Sequence, residues 1–270
     1  MKYYFIATNY NNSHHTVNYI NNICSLETPK NCSKHIIIVD NQSEEPLTTI
    51  EETIENVQKK GFDAKLIVNT SNSGYFKGLN VGIDNVSKTN EFMTIVGNND
   101  LIFNQDFLLK LHDVKLEKAD YCIAPNVYLP NGRKQNPHVF VKPGKKEIKL
   151  LELYYKNYYF GRLMVKVNGW LKKQKAQIDI SKPTYIHGGI GAIYILTQKF
   201  FEKNKRLNAP VFLYGEEVIL SNQIHATGGK LLYHPDIKVM HNEHSSVSKL
   251  GSKKLHKIGK ESFKIFKDYY

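Results

Sequence analysis

Apolar residues come in short runs that end in polar, glycine- or asparagine-containing breaks, with helix-period stretches between them. Lys2 to Ala7 is the first run and stops at Thr8-Asn9-Tyr10-Asn11. His35 to Asp40 is the second, nearly all β-branched as buried parallel strands tend to be, and gives way to Asn41-Gln42-Ser43. Lys65 to Val68 and Phe92 to Val96 complete the set, the latter ending in Gly97-Asn98-Asn99-Asp100. Between them the spacing predicts helices from about His14 to Ser25, from Pro46 to Lys60 with Gly61 closing it, and from Gly78 to Val86. Strands separated by helices imply βαβ units and a parallel sheet. Ligands of such sheets sit beyond the carboxyl ends of the strands. Asp40, the Asn72–Gly82 loop and Asp100 all follow strand ends, so polar groups are expected on one rim.

After Asp120 to Pro125 the texture changes. Residues 131–182 are basic and aromatic, with Tyr154, Tyr155, Tyr158, Tyr159, Phe160 and Trp170, and the sheet pattern resumes at Gly188 to Leu196. The expected fold class is α/β, a mostly parallel central sheet flanked by helices. One domain is expected over 1–248, carrying a basic aromatic insertion at 131–182, with a basic C-terminal helix over 249–270. In the insertion the tyrosines fall at helical spacing, which suits either stacking on sugar rings or an ordinary core stripe.

Composition narrows the class. With 270 residues, 41% hydrophobic and 11% aromatic, the chain has too much apolar area for a disordered protein. Cys24, Cys32 and Cys122 form no CxxC pair and read as reduced thiols. No signal-like opening and no stretch of eighteen apolar residues are found, so a cytoplasmic location is expected. Of the net charge of +12, residues 133–182 carry +10 and 249–270 carry +5, which leaves the rest at −3. Two basic attachments on a mildly acidic body suit an anionic surface or acceptor, or simply solvated lysine faces. Leu255, Ile258, Ser262, Phe266 and Tyr269 share a helical face that could lie on an anionic bilayer or pack on the sheet.

Four groups of residues carry candidate chemistry. Asp100, placed after an apolar strand and bracketed by Asn98 and Asn99, can hold a hard divalent ion that bridges a diphosphate; an Asn-Asn-Asp turn is the plainer reading. The Asn72–Gly82 loop brings small residues and a helix N-terminus to where a diphosphate would sit, with Lys77 adding positive charge. Glu216 and Glu217, at the end of Phe212 to Gly215, offer a carboxylate as general base, or else a helix start favoured by its dipole. Gly188-Gly189-Ile190-Gly191-Ala192 offers small residues to an acceptor sugar, beside His187.

In this order the blocks Thr8-Asn9-Tyr10-Asn11, Ile38-Val39-Asp40-Asn41-Gln42-Ser43, Asn72-Ser73-Gly74 with Gly78 to Gly82, Gly97-Asn98-Asn99-Asp100 and Phe212 to Glu217 resemble family 2 glycosyltransferases. The resemblance covers roughly 1–125 and 185–245, and those enzymes are inverting, of GT-A fold, and abundant in bacterial polysaccharide assembly. It implies donor-nucleotide contacts at Thr8, Asn9, Tyr10, Asp40, Asn72, Gly74, Lys77, Asn80 and Asn99, with Asp40 on the nucleobase. It further implies Mn2+ or Mg2+ on Asp100 and His241, Glu217 as base with Glu216 in support, and acceptor contacts at His187, Gly189 and Gly191. The partners implied are a UDP- or dTDP-sugar donor and a glycan or lipid-linked acceptor of capsule, O-antigen or another surface polysaccharide, met at the inner face of the plasma membrane. Two departures stand out: Asn98 occupies the first acidic place of the DxD pair, and Glu217 replaces the usual Asp. They keep open a sugar-nucleotide-binding relative without turnover. A nucleic-acid-binding protein would need basic residues along the sheet, which the −3 body does not supply.

Overall fold

β-branched and aromatic residues form strands wherever both faces can be covered. In the computed structural model, which describes residues 1–159, 161, 180–243 and 252–270, β1 (Lys2–Asn9), β2 (Ser33–Asp40), β3 (Asp63–Val68) and β4 (Phe92–Asn98) are parallel, in the order β3-β2-β1-β4. Helices α1 (Ser13–Ser25), α2 (Thr48–Lys59) and α3 (Tyr75–Ile83) connect them. The register pairs Asn9 with Asp40, Asp40 with Val68 and Thr8 with Asn98, so the carboxyl ends of the strands align at one rim.

The rest of the sheet is mixed. β5 (Leu101–Phe103), β6 (Asp120–Tyr128), β7 (Thr184–Ile186), β8 (Ile193–Thr197) and β9 (Lys230–His241) extend the order to β3-β2-β1-β4-β8-β6-β9-β5, with β7 beside β9. β8 runs antiparallel to both β4 and β6, while β6 and β9 are parallel. Helices α4 (Phe107–His112), α5 (Lys145–Lys156), α6 (Gln198–Lys203), α7 (Glu216–Ala226) and α8 (Ser252–Phe266) complete the described elements.

Alternation along β1 sorts the core into two layers. Tyr3, Phe5 and Ala7 pack with Tyr19, Ile20 and Ile23 of α1, Ile50 and Ile54 of α2, and Phe107 and Leu111 of α4. Tyr4 and Ile6 face the other way, onto Phe76, Leu79 and Ile83 of α3, Phe200 of α6, and Leu220 and Ile224 of α7. A sheet covered on both sides explains why its strands read as unbroken apolar runs.

Several expectations change. α3 begins a turn early, at Tyr75, because Gly74 at φ +100 turns the chain against Phe212; a Cβ there would lie 2.5 Å from the Phe212 carbonyl oxygen. Gly188 to Ala192 is a loop rather than strand, held by Asn136 Oδ1 accepting from the Ile190 amide at 2.8 Å, and only Ile193–Thr197 joins the sheet. The apolar face of α8 packs on α5 and α7 rather than on the sheet. Phe263 and Phe266 pack on Val211 and Ile219, with Leu151 and Tyr155 of α5 against them. Tyr155 stacks on Phe263 with ring centroids 4.8 Å apart, so this part of the aromatic insertion is core. Phe160 and Trp170 lie outside the described residues. Among the described residues no helix is long and apolar enough to cross a membrane.

Candidate active site

A cavity of about 720 Å³ opens at the carboxyl rim. Ten of the expected residues line it: Thr8, Tyr10, Asn72, Gly74, Asn99, Asp100, Gly191, Glu216, Glu217 and His241. They come from the end of β1, the loop before α3, the β4–β5 turn, the loop before β8, the first turn of α7 and the last residue of β9. Tyr75 stitches three of these pieces together. Its hydroxyl donates to the Gly191 carbonyl at 3.1 Å, and its amide donates to the Phe212 carbonyl at 3.1 Å.

Asp100 is 2% exposed, and neither carboxylate oxygen has a hydrogen-bond partner. A buried carboxylate left unpaired costs several kcal/mol unless something meets it. Its one close polar neighbour with a titrating ring is His241, whose Nε2 lies 3.3 Å from Oδ1 without hydrogen-bond alignment. The pairing of Leu101 with His241 across β5 and β9 sets that approach. Neighbouring ligands on an octahedral divalent ion at about 2.1 Å stand about 3 Å apart, close to this separation. Asn98 Nδ2 lies 3.3 Å from the same Nε2. Among the described residues no three His, Cys, Asp or Glu side chains converge on one point. The donor set therefore fits a cation held by two side chains, with its other positions filled by substrate oxygens and water.

The acidic pair sits across the cavity on a strained turn. Tyr214 at φ +71 and Gly215 at φ +90 reverse the chain into α7. A side chain at 215 would overlap the Phe266 ring of α8, so the position needs glycine for space as well as for φ. Glu216 is 5% exposed with Oε1 unpartnered. Burial, and then the charge of Glu217, push its carboxyl up to about 8, so it keeps its proton at neutral pH. Glu217 is half-buried, and its Oε2 would stand 3.5 Å from a Cβ placed on Gly191. Burial, helped by Glu216 and Asp100, also raises the Tyr75 hydroxyl well above its ordinary value, which preserves it as a donor.

Six expected residues lie outside the wall, each for a visible reason. Asp40, 1% exposed, accepts from Asn9 Nδ2 at 2.8 Å, Ser43 Oγ at 2.6 Å and the Ser43 amide at 2.8 Å, so its carboxylate builds the turn after β2. Asn9 is fully buried in that network, its Oδ1 accepting from Thr16 Oγ1 at 2.8 Å. Asn41, next to Asp40, lines the cavity instead. Asn80 clamps Leu207, donating to its carbonyl and accepting from its amide at 2.9 Å each. Lys77 is exposed on α3, away from the wall. His187 stacks on His225 of α7, ring centroids 4.8 Å apart, and burial and His225 push its imidazole down to about 4. Gly189 packs over Ala124 and Tyr194 of the sheet.

The wall also contains residues to which the sequence assigned no role: Asn41 and Tyr75, inside segments already named, and Gln135, His138, Glu243 and Lys254. Gln135 and His138 fall in the segment without a recognisable pattern, and Lys254 in the basic tail.

A cavity at the carboxyl rim of a doubly covered sheet, with a carboxylate–histidine pair facing an acidic turn, accords with the GT-A fold. Residues 4–202 match Glycosyl transferase family 2, and the chain belongs to that family. Solved structures share the fold. S. aureus TarS 1-349 superposes with TM-score 0.57 at 14% identity, over 90% of this chain and 60% of that one. GalNAc-T7 with UDP, GalNAc and Mn2+ gives 0.62 at 14%, over 91% and 44%. The mannosyltransferase PcManGT from Pyrobaculum calidifontis, in complex with GDP-Man and Mn2+, gives 0.57 at 13%, over 97% and 64%. The chain thus spans less than two thirds of each of these proteins, and at such identities the likeness is one of fold. No curated protein is significantly similar to the chain in sequence.

Proposed function

We propose that this protein is an inverting glycosyltransferase that moves a sugar from a UDP- or dTDP-sugar to a hydroxyl of a glycan or lipid-linked acceptor in surface-polysaccharide synthesis. The observation that carries the reading is the unpartnered, buried carboxylate of Asp100 in one cavity with the Glu216–Glu217 pair. Thr8, Tyr10, Asn41 and Asn72 line the part of the wall that would take the nucleoside, and the N-terminus of α3 faces the diphosphate. Asp100 and His241 would hold Mn2+ or Mg2+, which supplies Lewis-acid stabilisation of the leaving diphosphate.

The two glutamates divide the remaining work. Glu216 keeps its proton at neutral pH and so cannot accept another, which leaves it a hydrogen-bond donor beside its neighbour. Glu217 is the base. As the acceptor oxygen forms its bond to the anomeric carbon, the bond from that carbon to the diphosphate breaks and the hydroxyl proton passes to Glu217. Attack opposite the leaving group inverts the anomeric centre.

A thermal-shift series with UDP- and dTDP-sugars, with and without Mn2+, tests the assignment, because a cognate donor stabilises the fold that binds it. Asp100→Ala is expected to abolish the metal-dependent part of the shift. Glu217→Gln is expected to keep the shift and lose transfer and donor hydrolysis; surviving transfer would place the base elsewhere.

A further inference from the structure

Gln135 and two residues at and just beyond the end of β9, His241 and Glu243, form a chain of hydrogen bonds behind the carboxylate–histidine pair. His241 Nδ1 lies 2.8 Å from Gln135 Oε1, and Gln135 Nε2 donates to Glu243 Oε1 at 2.6 Å. Gln135 is anchored by its own amide, which donates to the Val127 carbonyl at 2.8 Å. Glu243 sits at φ +50, a conformation that residues other than glycine seldom adopt, and presents its carboxylate to the amide from there.

Donor and acceptor rules fix the direction of the chain. A carboxylate only accepts, so Gln135 turns its NH2 to Glu243 and its carbonyl oxygen to the imidazole. That oxygen also only accepts, so His241 Nδ1 must carry the ring proton. The opposite tautomer would turn Gln135 over and set its carbonyl oxygen against the Glu243 carboxylate at 2.6 Å. On the other side of the ring, Asn98 Nδ2 lies 3.3 Å from Nε2, a contact that a cation taking that lone pair would displace.

We propose that Glu243 and Gln135 are positioning residues that hold His241 as its Nδ1–H tautomer, so that the Nε2 lone pair faces Asp100 and is reserved for a divalent cation. This rests on Asp100 and His241 as cation ligands. It accounts for an arrangement otherwise unfavourable, two acceptors 3.3 Å apart with the carboxylate buried. It also bears on Asn98, which stands where a second carboxylate would be expected. With one charge fewer in the site, a ligand ring already in the right tautomer and orientation loses less on binding. Partners of this kind behind a metal-bound histidine change metal affinity about 10- to 100-fold.

The tautomer can be read in the metal-free protein, independently of catalysis. In 15N-histidine-labelled protein, long-range 1H–15N spectra should show His241 with Nδ1 protonated and Nε2 bare, the signals identified by their loss in His241→Asn. Gln135→Leu should shift His241 toward the Nε2–H form, and in titrations with Mn2+ alone, followed by electron paramagnetic resonance, weaken binding about tenfold. Glu243→Gln, a change at the surface, should move both readouts the same way by less, and stands in if the Leu variant does not fold. A protonated Nε2 in the wild type overturns the proposal. So does a Gln135→Leu protein in which tautomer or affinity stays as in the wild type. A wild type with the stated tautomer that takes up no Mn2+, alone or with UDP, overturns the cation assignment itself and leaves the hydrogen-bond chain standing.

Discussion

Glu216→Gln removes one buried ionisable group while keeping its shape, and its effect on stability should depend on pH in a calculable way. In the folded protein the Glu216 carboxyl is raised from 4.5 to about 8, by burial first and then by Glu217. A raised carboxyl binds protons more tightly folded than unfolded. Its contribution to stability is therefore complete below pH 4.5 and is lost as pH rises through about 8. Between pH 5.5 and 7.5 that loss integrates to about 2 to 3 kcal/mol, since each pH unit of unequal protonation is worth somewhat over 1 kcal/mol. Glutamine has no such term. The wild type minus variant difference should therefore fall by about 2 to 3 kcal/mol over this window, the variant gaining relative to the wild type as pH rises. Urea melts of both proteins at pH 5.5, 6.5 and 7.5, in the presence of a chelator, measure it directly. Taking the difference at each pH cancels the titration of the groups that do not interact with Glu216. A difference that stays flat across the window would refute the protonated state of Glu216, and with it the reason for assigning the base to its neighbour.

Two further variants test placements that run against the family pattern. Asn80→Ala removes both hydrogen bonds to Leu207 and leaves that backbone pair unanswered, so it should cost about 2 kcal/mol in urea melts. Donor affinity of the folded variant should stay within twofold, whereas a nucleotide contact would lose more. Gly215→Ala puts a methyl group into the Phe266 ring at a φ of +90, and should cost about 3 kcal/mol or more and loosen α8 from α7, seen as faster amide exchange in both helices.

Legibility followed the physics of each region. The parallel half was readable because strands buried on both faces must be apolar throughout and end in polar turns; β1, β2 and β4 appear close to where the runs predict. β5 and β7 are three residues long each, too short to show a period. Gly188 to Ala192 reads as strand by its apolar content, yet an amide from Ile190 bonded to Asn136 Oδ1 bends it to the rim. Acidic groups at element ends, Asp100 and the glutamate pair, could be found from spacing and resemblance. Asp40 could not be judged that way. Whether a carboxylate at a strand end faces a ligand or closes its own turn depends on Ser43 and Asn9, whose hydrogen bonds become visible only in three dimensions. Gln135 and Glu243 carry no motif because their role lies in the direction of a proton.

The charge of the C-terminal segment takes on a different meaning once α8 is in place. By sequence its lysines suggest a basic attachment beyond residue 248, reaching for an anionic surface. In the fold, its apolar face is occupied by α5 and α7, and Lys254 and Ile258 turn into the cavity wall. Among the described residues Lys254 is the lysine or arginine of that wall, while Lys77, the cation expected there, points to solvent from α3. Facing it are Asp100, Glu217 and Glu243, with Glu216 made neutral by burial. An anionic diphosphate entering such a wall meets more carboxylates than cations, and at separations of a few ångströms that imbalance works strongly against it. Burial of Glu216 removes one negative charge, Lys254 supplies one positive charge, and a divalent ion on Asp100 and His241 would reverse the sign where the diphosphate must lie. A boundary at residue 248 would cut through this wall. The last helix lines the cavity, as the strand ends do.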